Sequence, residues 1–174
     1  MAKVLIVSDS HGLRSELEQL RSRYEHEVDL FLHCGDSELS SDDQVLQGFS
    51  VVRGNCDFGG AFSNEVTCEL AGLRFFVVHG HLHAVKSSLI NLSLRAEEVN
   101  ANVVCFGHTH ILGAEMVRGK LFINPGSLLL PRGRREKTYC ILDIQDKSIE
   151  LHVYDFEHGE MMDLRRTFDY NEFG

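Results

Sequence analysis

Val-Val-Cys-Phe-Gly-His-Thr-His, at residues 103–110, is an apolar run that ends at a glycine and then presents two histidines two positions apart. Side chains on an extended backbone alternate between its two faces, so His108 and His110 are predicted to point the same way and Thr109 the opposite way. Two imidazoles aimed at one point after a strand indicate a metal site. Taken alone, however, the pair would be explained as well by two solvated loop histidines.

Four other apolar runs also end in side chains that can bind a metal ion. Taken singly, Asp9 could be a helix cap and Asn55 a turn residue. In open α/β sheets, however, ligand sites lie beyond the carboxyl ends of the strands. We therefore predict that the strand ends share one site with His108 and His110: residues 3–7 lead to Asp9 and His11, residues 29–33 to Asp36, residues 49–52 to Asn55, and residues 73–78 to His79.

The composition is typical of a globular protein. The 174 residues suffice for one domain, predicted to span residues 1–174. No apolar run is long enough to cross a bilayer, and the N-terminus lacks the features of a signal peptide. The five cysteines form no C-x-x-C pair, which predicts a reducing, cytoplasmic location. A net charge of −9 disfavours a broad nucleic-acid-binding surface, and no basic and aromatic stacking platform is evident.

The order of the apolar patterns predicts an α/β fold with mixed sheets. Helical spacing of apolar residues is found over residues 13–24 and 86–99, and hairpins are predicted around Gly72 and Gly119. Parallel strands are expected in the first half of the chain and antiparallel additions in the second. The tail from Glu157 onward is predicted to be peripheral.

The predicted ligand set points to phosphate chemistry. Seven nitrogen and oxygen ligands exceed the needs of one ion, whereas two ions about 3.5–4 Å apart can share a bridging carboxylate. Two divalent cations with Asp9 and Asp36 leave a net charge of +2, which attracts an anionic ester and a metal-bridging hydroxide as the nucleophile. Mixed imidazole and carboxylate ligands favour Mn²⁺, Ni²⁺, Zn²⁺, Fe²⁺ or Co²⁺ over Ca²⁺; Mn²⁺ is the first expectation.

The ordered motifs resemble those of the calcineurin-like metallophosphoesterases, and the Gly-Asn-Cys-Asp run at residues 54–57 resembles the small bacterial and archaeal phosphodiesterases of the YfcE/MJ0936 type. The resemblance covers residues 3–156 and implies a sandwich of two mixed β-sheets flanked by helices. It also implies a homo-oligomer and two ions bridged by Asp36: one held by Asp9, His11, Asp36 and His110, the other by Asp36, Asn55, His79 and His108.

The resemblance further suggests which residues act on the substrate. Larger relatives have a histidine after the asparagine, whereas this chain has Cys56, a weaker acid that would suit good leaving groups. Cys56 and Asp57 are the candidate catalytic residues. The candidate substrate-binding residues are Asn55, Arg53, His81 and Ser127.

The predicted function is that of a phosphodiesterase, with a nucleotide as one candidate substrate. A phosphomonoesterase is the alternative within the same chemistry, and Cys56 argues mildly against it. The other alternative is a protein-interaction scaffold, because the same fold resembles a retromer subunit that has lost full metal competence. All the expected ligand positions are filled in this chain, which favours the enzyme.

Overall fold

The structure is a computed structural model that describes residues 1–174. The α-helices are α1 (Ser15–Tyr24) and α2 (Ile90–Glu98), and short 3-10 turns occur at Gln44–Leu46, His81–His83, Met162–Leu164 and Tyr170–Glu172. The strands are β1 (Ala2–Val7), β2 (Leu30–His33), β3 (Phe49–Val51), β4 (Glu65–Leu70), β5 (Leu73–Val78), β6 (Val103–Cys105), β7 (Gly113–Val117), β8 (Lys120–Asn124), β9 (Thr138–Ile144), β10 (Ser148–Asp155), β11 (Gly159–Glu160) and β12 (Arg166–Asp169).

The strands form two mixed sheets, as predicted. The first sheet has the order β11-β10-β9-β1-β2-β3, with β12 paired to β10. Strands β1, β2 and β3 are parallel, and β9 runs antiparallel to β1. The second sheet has the order β4-β5-β6-β8-β7, in which β5, β6 and β8 are parallel. No helix combines the length and the apolar character that a membrane crossing requires.

Alternation along the strands separates the core into an inner layer and two outer layers. In β1, Val4 and Ile6 belong to the cluster shared by both sheets, whereas Leu5 and Val7 belong to the cluster that contains α1. A second outer cluster packs β5, β6 and β8 against α2. The central strands are therefore apolar on both faces, which explains their continuous hydrophobic runs. Both parallel groups end at the same side of the molecule, where polar residues follow the strands.

Two expectations about the second half of the chain were wrong. The second sheet is parallel at its centre, because α2 carries the chain from β5 to β6 and a hairpin then brings β8 back beside β6. The tail is also part of the fold, since β12 pairs with β10 and Phe168 is buried in the core between the sheets. Only one residue of β12 is buried, so the tail has no alternation from which a strand could be predicted.

Candidate metal centre

The ends of the parallel strands bring the predicted ligands together. Asp9 Oδ1 lies 3.1 Å from His110 Nε2 and 3.8 Å from both His11 Nε2 and His79 Nε2. Asp36 Oδ2 lies 3.1 Å from His79 Nε2. Because β1 and β2 belong to the first sheet and β5 and β6 to the second, the site joins the two sheets at their carboxyl edges.

The ligand atoms form overlapping clusters with the spacing of a metal site. Within each cluster the atoms lie within 4.8 Å of one another: Asp9, His11 and His110; Asp9, Asp36 and His79; and His11, Asp36 and Cys56. Asn55 Oδ1 is 3.0 Å from His79 Nε2. The His108 ring belongs to none of these clusters, but its centroid is 5.0 Å from that of His79. Thus six of the predicted ligands lie close together in the structure, and the seventh, His108, lies at the edge of the group.

Most of the ligands stand on backbone that residues with a side chain rarely adopt. The φ angles are 53° at Asp9, 43° at His11, 56° at Asp36, 69° at His108 and 60° at His110. Such left-handed conformations cost about 1–3 kcal/mol each and cluster at functional sites. The convergence of His108 and His110 was predicted from an extended backbone. That reason was wrong, because both residues lie in turns beyond the end of β6.

Hydrogen bonds fix the direction of three of the imidazoles. The Nδ1–H groups of His79 and His110 donate to the backbone carbonyls of Cys34 and Leu130, at 2.8 and 2.7 Å. Since a carbonyl only accepts, Nδ1 carries a proton, and in the neutral imidazole the lone pair of Nε2 faces the site. His11 Nδ1 instead meets the carboxylate of Glu38 at 2.6 Å. This use of Nδ1 by a second partner is typical of histidines that bind metals.

The two buried carboxylates each use one oxygen within the protein and present the other to an imidazole. Asp9 Oδ2 accepts from Ser8 Oγ and the His108 amide, whereas the buried Asp9 Oδ1 has no hydrogen-bond partner. Asp36 Oδ1 accepts from the Cys56 amide at 2.8 Å. A carboxylate oxygen and an imidazole nitrogen that face each other at 3.1 Å share either a proton or a metal cation. The donor set therefore fits divalent metal ions.

The electrostatics of the site keep the carboxylates charged. Burial opposes ionisation of Asp36, but the hydrogen bond and charge that a protonated His79 supplies when no metal is bound outweigh burial and lower the Asp36 pKa to about 2. Burial similarly opposes ionisation of Asp9, and His110 and His79 in the same protonated form hold its pKa below the ordinary value. Burial also lowers the pKa of His108 to about 4, which leaves its imidazole neutral and able to bind a metal.

The two candidate catalytic residues have different surroundings. Cys56 is half-buried, with its thiol near His11 and Asp36, and burial together with the Asp36 charge raises its pKa to about 11. The carboxylate of Asp57 accepts the amides of Asp36, Gly54 and Glu38 at 2.7–2.8 Å. Its hydrogen bonds favour a positioning role over the predicted catalytic one. The catalytic role of Cys56 stays a prediction.

The candidate substrate-binding residues also have different surroundings. The ring of His81 lies 5.4 Å from that of His79, and its Nδ1 has no hydrogen-bond partner. Arg53 donates from Nε to the backbone carbonyl of Asp57 at 3.2 Å and forms no ion pair. Ser127 is fully buried, and its hydroxyl donates to the Asp9 carbonyl and accepts the amides of Leu129 and Leu130. This geometry argues against substrate contact by Ser127.

Three supporting residues were missed in the sequence. Glu38 lies two positions after Asp36, the spacing that also relates Asp9 to His11, and this repeat was an available signal. Ser8 bonds to Asp9 at 2.5 Å. His33 accepts the Gly35 amide at Nδ1 and meets Ser10 Oγ at Nε2, so it ties together the turns that carry Asp9 and Asp36. Nothing in the apolar run at residues 29–33 indicated that role.

Comparisons with known proteins agree with this site. The model of the calcineurin-like phosphoesterase superfamily domain matches residues 2–147. A probable metallophosphoesterase of Bacillus subtilis, YsnB, is 49% identical over 93% of this chain and 96% of its own.

Two solved structures have the same fold. A predicted phosphoesterase from Streptococcus pneumoniae is 34% identical, with a TM-score of 0.92 over 97% of this chain and 99% of its own. A structure described as a novel archaeal phosphodiesterase is 25% identical, with a TM-score of 0.66 over 87% of this chain and 99% of its own. With the family match and the donor set described above, these similarities show that the chain belongs to the calcineurin-like phosphoesterase superfamily and is a metal-dependent phosphoesterase.

Proposed function

We propose that this protein is a dinuclear metal-dependent phosphodiesterase. The observation that carries the proposal is the set of possible ligand atoms that face one another in three overlapping clusters, two of which include Asp9, whose Oδ1 has no hydrogen-bond partner. Asp9 and Asp36 each belong to two clusters, as ligands at the boundary of two ions would. This arrangement supports a first ion held by Asp9, His11, Asp36 and His110 and a second held by Asp36, Asn55, His79 and His108, with Mn²⁺ as the first candidate for both.

The protein's own groups would prepare the site for a phosphate ester. Two divalent ions, when bound, supply an acidified water and neutralise charge on the phosphoryl oxygens. The backbone carbonyls of Cys34 and Leu130 hold two imidazoles in the required orientation, so no reorientation is needed during the reaction. Asn55 and His81 lie beside His79, where an amide and an imidazole can contact the ester.

The balance of charge and acidity supports a diester over a monoester. A diester carries one negative charge, which the net charge of the proposed centre can accommodate without further cations. Arg53 is a cation without an ion pair in the neighbouring loop, whereas the nearest candidate acid is Cys56. A thiol whose pKa is raised to about 11 is a weak proton donor, so the site should favour esters with good leaving groups.

Metal add-back tests this function. The protein is treated with a chelator and then assayed with Mn²⁺, Ni²⁺ or Zn²⁺ on bis-p-nitrophenyl phosphate and on p-nitrophenyl phosphate. We expect turnover to depend on added metal and kcat/KM to be at least about tenfold higher for the diester, a difference of about 1.4 kcal/mol in the barrier. A higher kcat/KM for the monoester would overturn the diester assignment.

The Glu38 carboxylate should set the affinity for one of the two ions. Glu38→Ala removes the acceptor from His11 Nδ1, and the loss of such a partner lowers metal affinity by about 10- to 100-fold. Glu38→Gln keeps an oxygen acceptor and should lose less. Competition with a metal-binding dye measures both variants, with Glu18→Ala on the exposed face of α1 as the control. Unchanged affinity in Glu38→Ala would refute this role.

The scaffold alternative makes a different prediction from the same assay. A site retained only for protein binding has no need of a full ligand set, yet every predicted ligand position in this chain has a side chain that can bind a metal. Bound metal without turnover of any ester would favour the scaffold.

A further inference from the structure

A pocket adjoins the proposed centre. Its volume is about 210 Å³, and its walls come from two loops and from Arg53, two positions after the end of β3. The first loop, residues 39–41, follows Asp36 and Glu38; the second, residues 57–62, follows Asn55 and Cys56. Both loops therefore follow directly on residues of the proposed centre.

The backbone of the centre also holds this pocket in place. Asp57 accepts the amides of Asp36, Glu38 and Gly54, and its carbonyl accepts from Arg53 Nε. Asp57 and Arg53 are themselves part of the pocket wall. The pocket and the centre thus share a hydrogen-bonded frame, and the position of one is fixed relative to the other.

The most unusual side chain at the pocket is Phe58. It is 91% exposed, the highest value among the exposed large apolar side chains. Gly59 and Gly60 follow it, and a Cβ added to either would meet nothing within 4 Å, so the surface beside the ring is open. Phe62, by contrast, is partly buried against the α1 side of the core. The pocket therefore has one anchored aromatic ring and one whose faces are free for stacking.

The polar side chains of the wall are Arg53, two serines and Asp57, whose carboxylate is already used by three backbone amides. Arg53 is half-buried and makes no ion pair, so its guanidinium is available to an anion. Ser40 and Ser41 add hydroxyl groups to the wall. A nucleobase attached to a sugar and phosphate can interact with all of these groups at once. The base can stack on Phe58, and the sugar or phosphate can contact Arg53 and the serine hydroxyls.

Such a platform was not recognised in the sequence. Arg53 and Phe58 lie five positions apart on opposite sides of the Gly-Asn-Cys-Asp run, and the hydroxyls come from a separate loop. The platform is also small and local, which agrees with the net charge of −9 and the prediction that the protein has no broad nucleic-acid-binding surface.

We propose that this pocket binds the nucleobase of a nucleotide phosphodiester, with Phe58 as the stacking residue and Arg53 as the partner of the polar end. The inference rests on the proposed phosphodiesterase function and adds the class of substrate. It predicts that a nucleoside on the ester improves KM, since the base binds away from the reacting atoms.

The test uses two esters with the same leaving group. These are the p-nitrophenyl ester of thymidine monophosphate and p-nitrophenyl methyl phosphate, both assayed with the Mn²⁺-loaded protein. We expect kcat/KM for the nucleotide ester to be about 5- to 100-fold higher, the range for one stacked base, with the gain mostly in KM. In Phe58→Ala the ratio of kcat/KM for the nucleotide ester to kcat/KM for the methyl ester should fall towards one, whereas Phe58→Tyr should keep the ratio of the unmodified protein. Met162→Ala, which shortens another exposed apolar side chain, is the control.

The outcomes separate the two proposals. Hydrolysis of both esters with equal kcat/KM, or a ratio that Phe58→Ala does not change, overturns the nucleobase pocket but leaves the phosphodiesterase intact. Hydrolysis of neither ester defeats the proposed function. Calorimetric titration with thymidine monophosphate gives a readout that is independent of turnover. The Kd should rise about 5- to 100-fold in Phe58→Ala, and an unchanged Kd would count against the pocket.

Discussion

Asp36→Ala is expected to lower metal-dependent turnover by about 10³-fold or more, because Asp36 faces both parts of the proposed centre. Its carboxylate belongs to one cluster with His79 and to another with His11. Removal of a single preorganised electrostatic contact already costs about 10²- to 10³-fold. Loss of this carboxylate should in addition lower the bound metal below two ions per chain, which elemental analysis of the dialysed protein measures.

Two further variants make the Asp36 experiment specific. Asp36→Asn keeps the shape of the side chain and the acceptor for the Cys56 amide but removes the charge, so it should also fail while remaining folded. Asn55→Ala removes a neutral ligand at one side of the centre and should lose less activity than either. Near-normal activity in both Asp36→Ala and Asn55→Ala would refute the two-ion assignment.

Gly54→Ala should damage the centre without any change to a predicted ligand. A Cβ at Gly54 would lie 2.0 Å from Asp36 Oδ1 and 2.5 Å from the Asp36 backbone nitrogen. The backbone atom cannot move without disturbing the left-handed turn that carries Asp36. We expect a loss of about 1–3 kcal/mol in the free energy of unfolding, as for an overpacked core, and a fall in turnover of about 100-fold.

Gly113→Ala is the matched control for Gly54→Ala. Neither glycine has a positive φ, and a Cβ at Gly113 would meet nothing within 4 Å. Its free energy of unfolding should therefore change by less than about 0.5 kcal/mol, with full activity. Urea unfolding and Mn²⁺ titration of both variants measure the difference. Equal behaviour of the two variants would show that the close approach at Gly54 is unimportant.

The sequence was sufficient to predict the fold class and the side chains that meet at the candidate metal centre, because both depend on short local patterns. Apolar runs without polar alternation predicted buried parallel strands, and the polar residues that follow them predicted where the site would form. Asp9 and His110 lie 3.1 Å apart in the structure, although they are 101 positions apart in the chain. Strand topology accounts for that proximity. It was predicted from the rule that sites in open α/β sheets lie beyond the carboxyl ends of the strands.

The predictions that were wrong concern backbone conformation, hydrogen bonding and burial that the identity of a single residue does not indicate. Left-handed backbone at non-glycine positions such as His108 is uncommon, so an extended backbone was the reasonable but wrong expectation. The hydroxyl of Ser127 is used by its own turn and by the Asp9 carbonyl, which no sequence motif records. Phe168 joins the core from a strand whose other residues are partly or fully exposed to solvent.

The long separations within the centre have a consequence for protein synthesis. The Ser127 hydroxyl supports the Asp9 carbonyl from 118 positions away, and His110 depends on the carbonyl of Leu130. A chain that has emerged from the ribosome only as far as α2 contains Asp9, Asp36 and His79 but lacks His108, His110 and the turn that orients them. In the proposed centre, full metal loading would therefore follow translation at least as far as Leu130.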